Sequence, residues 1–185
     1  MGTGQLLLTI VAIVLLGTII LRTNANIITT SQTLATTNYG IEAVSLATTI
    51  IEDAQALPFD QHDRNGEDIN SPNGFDTPAN LGQESAIGDT LDDFDDYNGN
   101  HGNKGSTSPG RTYTYALATG NYVALTKVKY VMYNPVTKTL DFTTGAAQWS
   151  KRLDVWVWNT IDSLDTVYKQ ARTDTVHMYT VQSYW

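Results

Sequence analysis

A run of carboxylates and amides in the middle of the chain has the composition of a cation site. The stretch "DTLDDFDDYN", residues 89–98, holds five aspartates and one asparagine, which supply the hard oxygen ligands that Ca²⁺ prefers. The EF-hand template does not fit, because His101 stands where that loop needs Gly and Thr107 where it needs a bidentate Glu. The sequence therefore favours either a calcium site of another geometry or a solvated acidic loop that Phe94 and Tyr97 hold against the core. The candidate ligands are Asp92, Asp93, Asp95, Asp96 and Asn98.

Residue patterns for other catalytic or cofactor chemistry are missing from the sequence. The histidines, His62, His101 and His177, are far apart and form no HExxH or Ser–His–Asp signature. The glycines of residues 99–110 match neither the Walker nor the Rossmann phosphate-binding pattern. The chain has no cysteine, which excludes disulfides, thiolate metal sites and cysteine nucleophiles. We therefore expect no enzymatic activity and no cofactor other than the candidate calcium ion.

Charge divides the chain into three sections. Residues 1–51 carry one base and one acid, residues 52–110 carry thirteen acids and two bases, and residues 111–185 carry five acids and eight bases. The net charges of these sections are zero, −11 and +3, for a total of −8. A protein that binds nucleic acid needs clustered Lys and Arg, so this balance argues against nucleic acid as the main partner.

The first section has the pattern of one long apolar helix. Residues 6–21 carry no charge and end at Arg22, a length sufficient to enter a membrane, whose core takes roughly 20 apolar residues to cross. No Lys or Arg precedes Leu6, although a secretory signal peptide would begin with basic residues. Apolar residues recur at helical spacing from Asn26 to Leu57, and Pro58 is the first proline in the chain. We therefore predict one helix over residues 1–57, about 80 Å long.

The second half of this helix, residues 26–57, is almost uncharged and rich in threonine. A helix in water normally has a charged face, and threonine is a weak helix former. We therefore expect other protein to surround this helix, with its threonine hydroxyls bonded to backbone carbonyls or to neighbours. Residues 41–57 are expected to pack on the protein's own sheet, whereas too little chain remains to cover residues 1–40.

From Arg111 onward the hydropathy alternates with the two-residue period of β-strands. A tight hairpin turn is expected at Gly120–Asn121. Strands are expected over residues 111–119, 121–134, 137–144, 151–159, 165–172 and 175–185. The core-facing residues of two of them would be Tyr122, Ala124, Val128, Tyr130 and Met132, and Leu153, Val155 and Val157. The predicted fold class is therefore α+β, with the C-terminal half of the long helix packed on one face of an antiparallel meander.

Two tryptophans, Trp156 and Trp158, fall on the opposite face of their strand from Leu153, Val155 and Val157. Exposed tryptophans on a sheet are typical of contact surfaces, and Trp185 at the end of the chain is a third candidate for this surface. The partner would be another subunit or a sugar; the alternative is that the acidic loop covers these rings.

An uncharged N-terminal helix with an amphipathic second half, then a loop and a small strand-rich domain, resembles the mature type IV pilins and pseudopilins. In that family the helix waits in the membrane and is then bundled into a filament core. The family usually has Glu at the fifth mature position, where this chain has Gln5, whose amide can still form hydrogen bonds. Many members have Pro near residue 22, where this chain has Arg22. Some pilin-like proteins bind calcium in such loops.

The resemblance implies a structural subunit of an extracellular type IV pilus-like filament at the cell surface. Its partners would be further copies of the chain, and the inner membrane for the precursor before assembly. The alternatives are a pseudopilin of a secretion or uptake machine, or a membrane-anchored surface domain that binds a glycan or a calcium-dependent ligand.

The expected domains are a long helix with a membrane and filament-core half (1–25) and an amphipathic half (26–57), an acidic loop region (58–110) and a β domain (111–185). The filament-core residues would be Gln5, Leu6, Leu7, Leu8, Ile10, Val11, Ile13, Val14, Leu15, Leu16, Ile19, Ile20 and Leu21.

Overall fold

The elements of the chain are a long helix, a short helix and an antiparallel sheet. A computed structural model describes residues 2–83, 90–99, 105, 109–117, 119–142, 145–160 and 175–184. Within these residues the helices are α1 (Thr3–Gln55) and α2 (Gln61–Arg64), with 3₁₀ turns at Pro72–Gly74 and Asp95–Asn98. The strands are β1 (Arg111–Leu117), β2 (Gly120–Asn134), β3 (Thr139–Phe142), β4 (Ser150–Thr160) and β5 (Val176–Ser183). The α+β fold class is thereby confirmed.

Helix α1 is continuous across the boundary between two compact units of the chain, residues 1–40 and residues 41–185. It ends shortly before Pro58, since the residue before a proline is disfavoured in helical conformation. All of its buried residues belong to the second unit and recur at the helical spacing that puts side chains on one face. They are Ala43, Ala47, Ile50, Ile51 and Ala54.

The end of α1 packs on the sheet, as the sequence predicts for residues 41–57. The Gln55 side-chain amide donates to the Thr180 hydroxyl in β5 at 2.6 Å. Near the start of the buried segment, Glu42 accepts a hydrogen bond from Thr119, whose hydroxyl lies 2.9 Å from that of Tyr122 in β2. These contacts hold α1 at Glu42 to Thr119, between β1 and β2, and at Gln55 to β5.

The sheet has the order β1-β2-β4-β5, and β3 pairs with the end of β2. All four pairings are antiparallel. Strand β2 is the longest and pairs with β1, β4 and β3, so it forms the centre of the sheet. The core face contains the fully buried Tyr122, Ala124, Val128 and Tyr130 of β2 and Leu153, Val155 and Val157 of β4, as predicted.

Two details of the predicted strands are wrong, and a third lies outside the described residues. Met132 is half exposed and Val131 is buried instead, because β2 changes partner from β4 to β3 between Tyr130 and Val131. The hairpin turn is not at Gly120–Asn121, since Gly120 already pairs with Leu117 and Asn121 with Ala116. The predicted strand over 165–172 lies outside the described residues.

The acidic middle of the chain contributes a second part of the core. Phe59 and Phe75 have ring centroids 4.9 Å apart, and Phe75 meets Trp149 edge-on at 5.5 Å. Tyr184 packs against this group and stacks on Trp149. The buried members of the cluster are Phe59, Ile69, Phe75, Leu81, Tyr130 and Ala147. Loop residues and strand residues thus share one hydrophobic cluster.

Glycine at position 105 is required by both backbone conformation and space. Gly105 has φ +97°, and a Cβ there would collide with the carbonyl oxygen of Ala79. Gly66 also has a positive φ, +74°, but a Cβ there would have no neighbour within 4 Å. Substitutions at Gly66 and Gly105 therefore distinguish the cost of backbone strain alone from the cost of strain together with a steric clash.

We expect Gly105→Ala to reduce the free energy of unfolding by roughly 3 kcal/mol, and Gly66→Ala by about 1 kcal/mol, because only the first adds a clash to the strain. Thermal unfolding of the full chain in detergent, followed by near-UV circular dichroism, measures both. Equal losses in the two variants would show that Ala79 and Gly105 are not in close contact.

Candidate functional site

The first candidate site is the apolar surface of α1. The large apolar side chains from Leu6 to Leu21 are each between 52% and 72% exposed. Helix α1 is long and apolar enough to cross a membrane, and its most apolar window has no buried residue. Its length and composition fit a membrane anchor or a signal sequence.

Nine of the eleven threonines of α1 donate their hydroxyl groups to carbonyls of the same helix. Eight of them donate to the backbone carbonyl four residues earlier, at 2.8–3.1 Å, and Thr18 donates to Leu15, three residues earlier. This confirms the predicted bonding to the backbone. A hydroxyl that is already bonded costs little to remove from water, whereas an unbonded one costs roughly 1–3 kcal/mol. The surface of α1 is therefore suited to burial in spite of its polar composition.

The second candidate site is a group of buried carboxylates and amides within the acidic region. Asp60, Asp93, Asp95 and Asn98 are all fully or almost fully buried. Phe94 and Tyr97 are buried too, as predicted. The expectation of a solvated acidic loop is wrong for these residues, because they bond to the sheet and to one another.

Lys151 is the cation that holds this region. It lies in β4, has no exposed surface, and points to the core face. Its Nζ donates to the carbonyl of Phe59 at 2.7 Å, to Asp60 at 2.8 Å and to Asp95 at 2.5 Å. All three protons of the ammonium group therefore have an acceptor. Burial alone would lower the pKa of Lys151, but Asp95 and Asp60 raise it, so the side chain is charged.

The five predicted calcium ligands do not form one set. Asp95 bonds to Lys151 and accepts the backbone N–H of Gly82. The Asn98 carbonyl oxygen accepts the N–H of Val128, and its amide donates to the carbonyls of Leu81 and Gly105. Asn98 therefore joins β2 to the loop. The side chains of Asp95 and Asn98 bond to these partners and not to a cation shared with the other predicted ligands.

The other three predicted ligands, Asp92, Asp93 and Asp96, each place one oxygen within 4.8 Å of the others. Most of their bonding is internal. Asp93 accepts the N–H groups of residues 95 and 96, and Asp96 accepts those of residues 92 and 93, in the reciprocal manner of a capping box. Asp92 forms an ion pair with Arg64. Calcium at these three carboxylates stays a prediction, and it would have to compete with Arg64.

The buried charges around Lys151 are not balanced. Asp76 lies close enough to Asp60 for its N–H to donate to that carboxylate at 3.1 Å. Burial, together with the charges of Asp60 and Asp95, raises the pKa of Asp76 to about 6. His62 contacts Asp60 at 2.9 Å, and this hydrogen bond raises the pKa of His62. The single ammonium group of Lys151 thus lies among more than one carboxylate, so the negative charge around it exceeds its positive charge.

The third candidate site is the face of the sheet opposite the core, where Trp156 and Trp158 lie half-buried. Trp156 stacks on His177 with a centroid distance of 4.8 Å. The described part of the acidic region meets the other face, through Lys151 and Thr126, so it does not cover these rings. The contact-surface role of Trp156 and Trp158 stays a prediction, and Trp185 lies outside the described residues.

Lys151, on whose bonds this region depends, is not among the residues that the sequence analysis predicts. The signal was present, because the two-residue period that puts Leu153, Val155 and Val157 on the core face puts Lys151 there too. A lysine is almost never fully buried unless it is paired. Its partners are 91 and 56 residues away in the sequence, so no local pattern identifies them.

Comparison of the chain with protein-family models, with curated proteins and with solved structures finds no match.

Replacing Lys151 by Met should reduce the free energy of unfolding by about 3–5 kcal/mol, because Asp60 and Asp95 would remain buried without their cation. Lys129→Met, on the opposite face of the neighbouring strand, should cost less than about 1 kcal/mol. Adding Asp60→Asn and Asp95→Asn to Lys151→Met should recover part of the loss. Thermal unfolding in detergent measures all of them, and an equal effect of the two lysine substitutions would contradict the role assigned to Lys151.

The raised pKa of Asp76 predicts how stability changes with pH. The folded protein keeps a proton on Asp76 up to about pH 6, whereas an unfolded chain releases it near 3.8. This stabilisation is complete below the unfolded value and is lost as the pH rises through about 6. His62, whose pKa is also raised, acts in the same direction.

We therefore expect the melting temperature of the wild type to fall between pH 5 and pH 7, and that of Asp76→Asn to fall less. Asp76→Asn should be the more stable protein at pH 7, because it removes the surplus negative charge. Parallel pH-dependences for the two proteins would show that Asp76 titrates normally.

Proposed function

We propose that this protein is the structural subunit of an extracellular filament similar to a type IV pilus. The observation that carries the proposal is the surface of α1, on which every large apolar side chain from Leu6 to Leu21 is exposed. Burial of each such side chain contributes roughly 1.5–3 kcal/mol. Helices of neighbouring copies supply the surface that buries them.

A membrane accounts for only the first part of this surface. Residues 23–40 contain no Asp, Glu, Lys or Arg, and Ile27, Ile28 and Leu34 are each more than half exposed. Five of the six threonines in this stretch donate to a carbonyl of their own helix. A stalk in water would carry charges on its surface. The neutral surface supports contact with protein along the whole stretch, as in a bundle of α1 helices.

The competing function is a membrane-anchored binding domain, for which residues 23–40 would be a solvated stalk. The two functions differ in what they require of Leu34, which is 60% exposed and lies outside the apolar stretch of residues 6–21. A charge at this position would be harmless in a stalk but would be buried in a filament core.

We expect Leu34→Glu to leave the protein folded and in the membrane fraction but to abolish filaments, because an unpaired buried charge is costly. Val136→Glu, at a position that is 89% exposed in the turn between β2 and β3, is the matched control and should assemble normally. Electron microscopy of material sheared from cells measures filaments, and membrane fractionation measures insertion. Normal filaments from Leu34→Glu, or none from the wild type, would refute the proposal.

A further inference from the structure

The face of the sheet opposite the core carries an excess of positive charge. Strand register places Lys127 beside Asp154 and Lys129 beside Arg152 on this face. We call it the outer face, and it also contains Trp156, Phe142 and Tyr179. Three cations and one acid lie here among aromatic rings, on a chain whose net charge is −8.

Asp154, the acid on the outer face, already has partners on its own chain. Asp154 accepts hydrogen bonds from Arg152 Nε at 3.1 Å and Nη2 at 2.5 Å, and its carboxylate lies 2.8 Å from His177 Nε2. The guanidinium of Arg152 lies over the rings of Tyr179 and Phe142, at 4.1 and 5.1 Å. Asp154 is therefore paired with Arg152 and His177, and no other acid of the described strands β2, β4 and β5 lies on the outer face.

Among the described residues, Lys127 and Lys129 form no ion pair. Lys129 lies over the ring of Phe142 at 5.1 Å. Burial and the neighbouring charge of Lys129 lower the pKa of Lys127. Within the described residues, Lys127 and Lys129 are thus a local positive charge that no carboxylate pairs with.

A complementary acidic pair lies elsewhere on the same unit of the chain. Glu67 and Asp68 follow α2, are both exposed, and form no side-chain hydrogen bond or ion pair with described residues. The other exposed acidic pair among the described residues, Glu52 and Asp53, is less suitable, because it lies in α1 between Ile51 and Ala54, which are buried. Glu67 and Asp68 are therefore the best counterpart for the lysines of another copy.

We propose that the outer face of one copy binds the Glu67–Asp68 loop of a second copy, with Lys127 and Lys129 as the paired cations. Contacts between two different patches of the same chain are heterologous, and they generate an open helical assembly when the rotation does not close. This inference rests on the proposed filament and specifies a lateral contact between its β domains. The helices supply the burial, and the charged contact fixes which neighbour is engaged.

The test is a charge exchange in the full-length chain, with the mass of sedimenting filaments as the readout. Lys127→Glu/Lys129→Glu and Glu67→Lys/Asp68→Lys should each reduce filament mass by roughly tenfold, because each places like charges opposite one another. Combining all four substitutions should restore it. Lys138→Glu, in the exposed turn after β2, is the control for an added negative charge and should assemble normally. Lys127→Gln/Lys129→Gln should give an intermediate loss of filament mass. This variant removes the two positive charges without adding negative ones, so its effect does not depend on whether the sheet accommodates glutamate.

Raising the salt concentration to about 0.5 M should weaken wild-type filaments more than filaments of the Gln variant, because screening acts on the charged contact. Normal assembly of Lys127→Glu/Lys129→Glu, or no restoration by the combined variant, would overturn the inference and leave the filament proposal intact. Absence of wild-type filaments would instead refute the filament itself. If the Glu variant assembles normally but no longer binds a soluble polyuronate that the wild type retains, the outer face serves an anionic polysaccharide and the inference is wrong.

Discussion

The fold of residues 41–185 depends on the ion cluster of Lys151 with Asp60 and Asp95. Removing an ammonium group and two carboxylates from water costs several kcal/mol for each ion, and the attraction between them offsets this only when every proton has an acceptor. Here the three protons of Lys151 reach Phe59, Asp60 and Asp95. The cluster joins β4 to two separate places in the acidic segment, and so converts a sequence of turn-forming residues into part of the core.

The acidic segment can bury several carboxylates because they accept hydrogen bonds in addition to the pairing of Asp60 and Asp95 with Lys151. The carboxylates of the segment bond to backbone N–H groups that lie in no strand or long helix. Asp93 and Asp96 accept those of their own turn, Asp95 accepts that of Gly82, and Asp60 accepts that of Asp76. A buried N–H without an acceptor costs about as much as a lost hydrogen bond, so these aspartates replace the missing secondary structure. The composition that suggests a calcium loop therefore has a structural use in this chain.

The features that the sequence predicts are those set by residues close together along the chain, and the features it does not predict depend on residues far apart. Helix α1 and the alternation of β2 and β4 are local properties of the chain, and they follow from apolar spacing and from Pro58. The pairing of Lys151 with Asp60 joins residues 91 positions apart, and neither side carries a local sign of its partner. The period of two places Met132 on the core face because it continues past Tyr130 in the sequence, whereas the partner of β2 changes there. The four aspartates and the asparagine predicted as calcium ligands are close together along the chain, but with the 3₁₀ turn at Asp95–Asn98 they form different bonds.

The distribution of charge along the chain gives the two proposed contacts different physical characters. In residues 1–40 the charged side chain is Arg22 alone, and the threonine hydroxyls with donor bonds use their own backbone. Association through this surface would be driven by burial of apolar area, which salt does not screen. Residues 41–185 carry nearly all the charges, and a contact through Lys127 and Lys129 would weaken at high ionic strength. The two contributions would therefore respond to different conditions, because high salt would weaken the charged contact and lower the amount of filament, whereas it would not screen the burial of the helices.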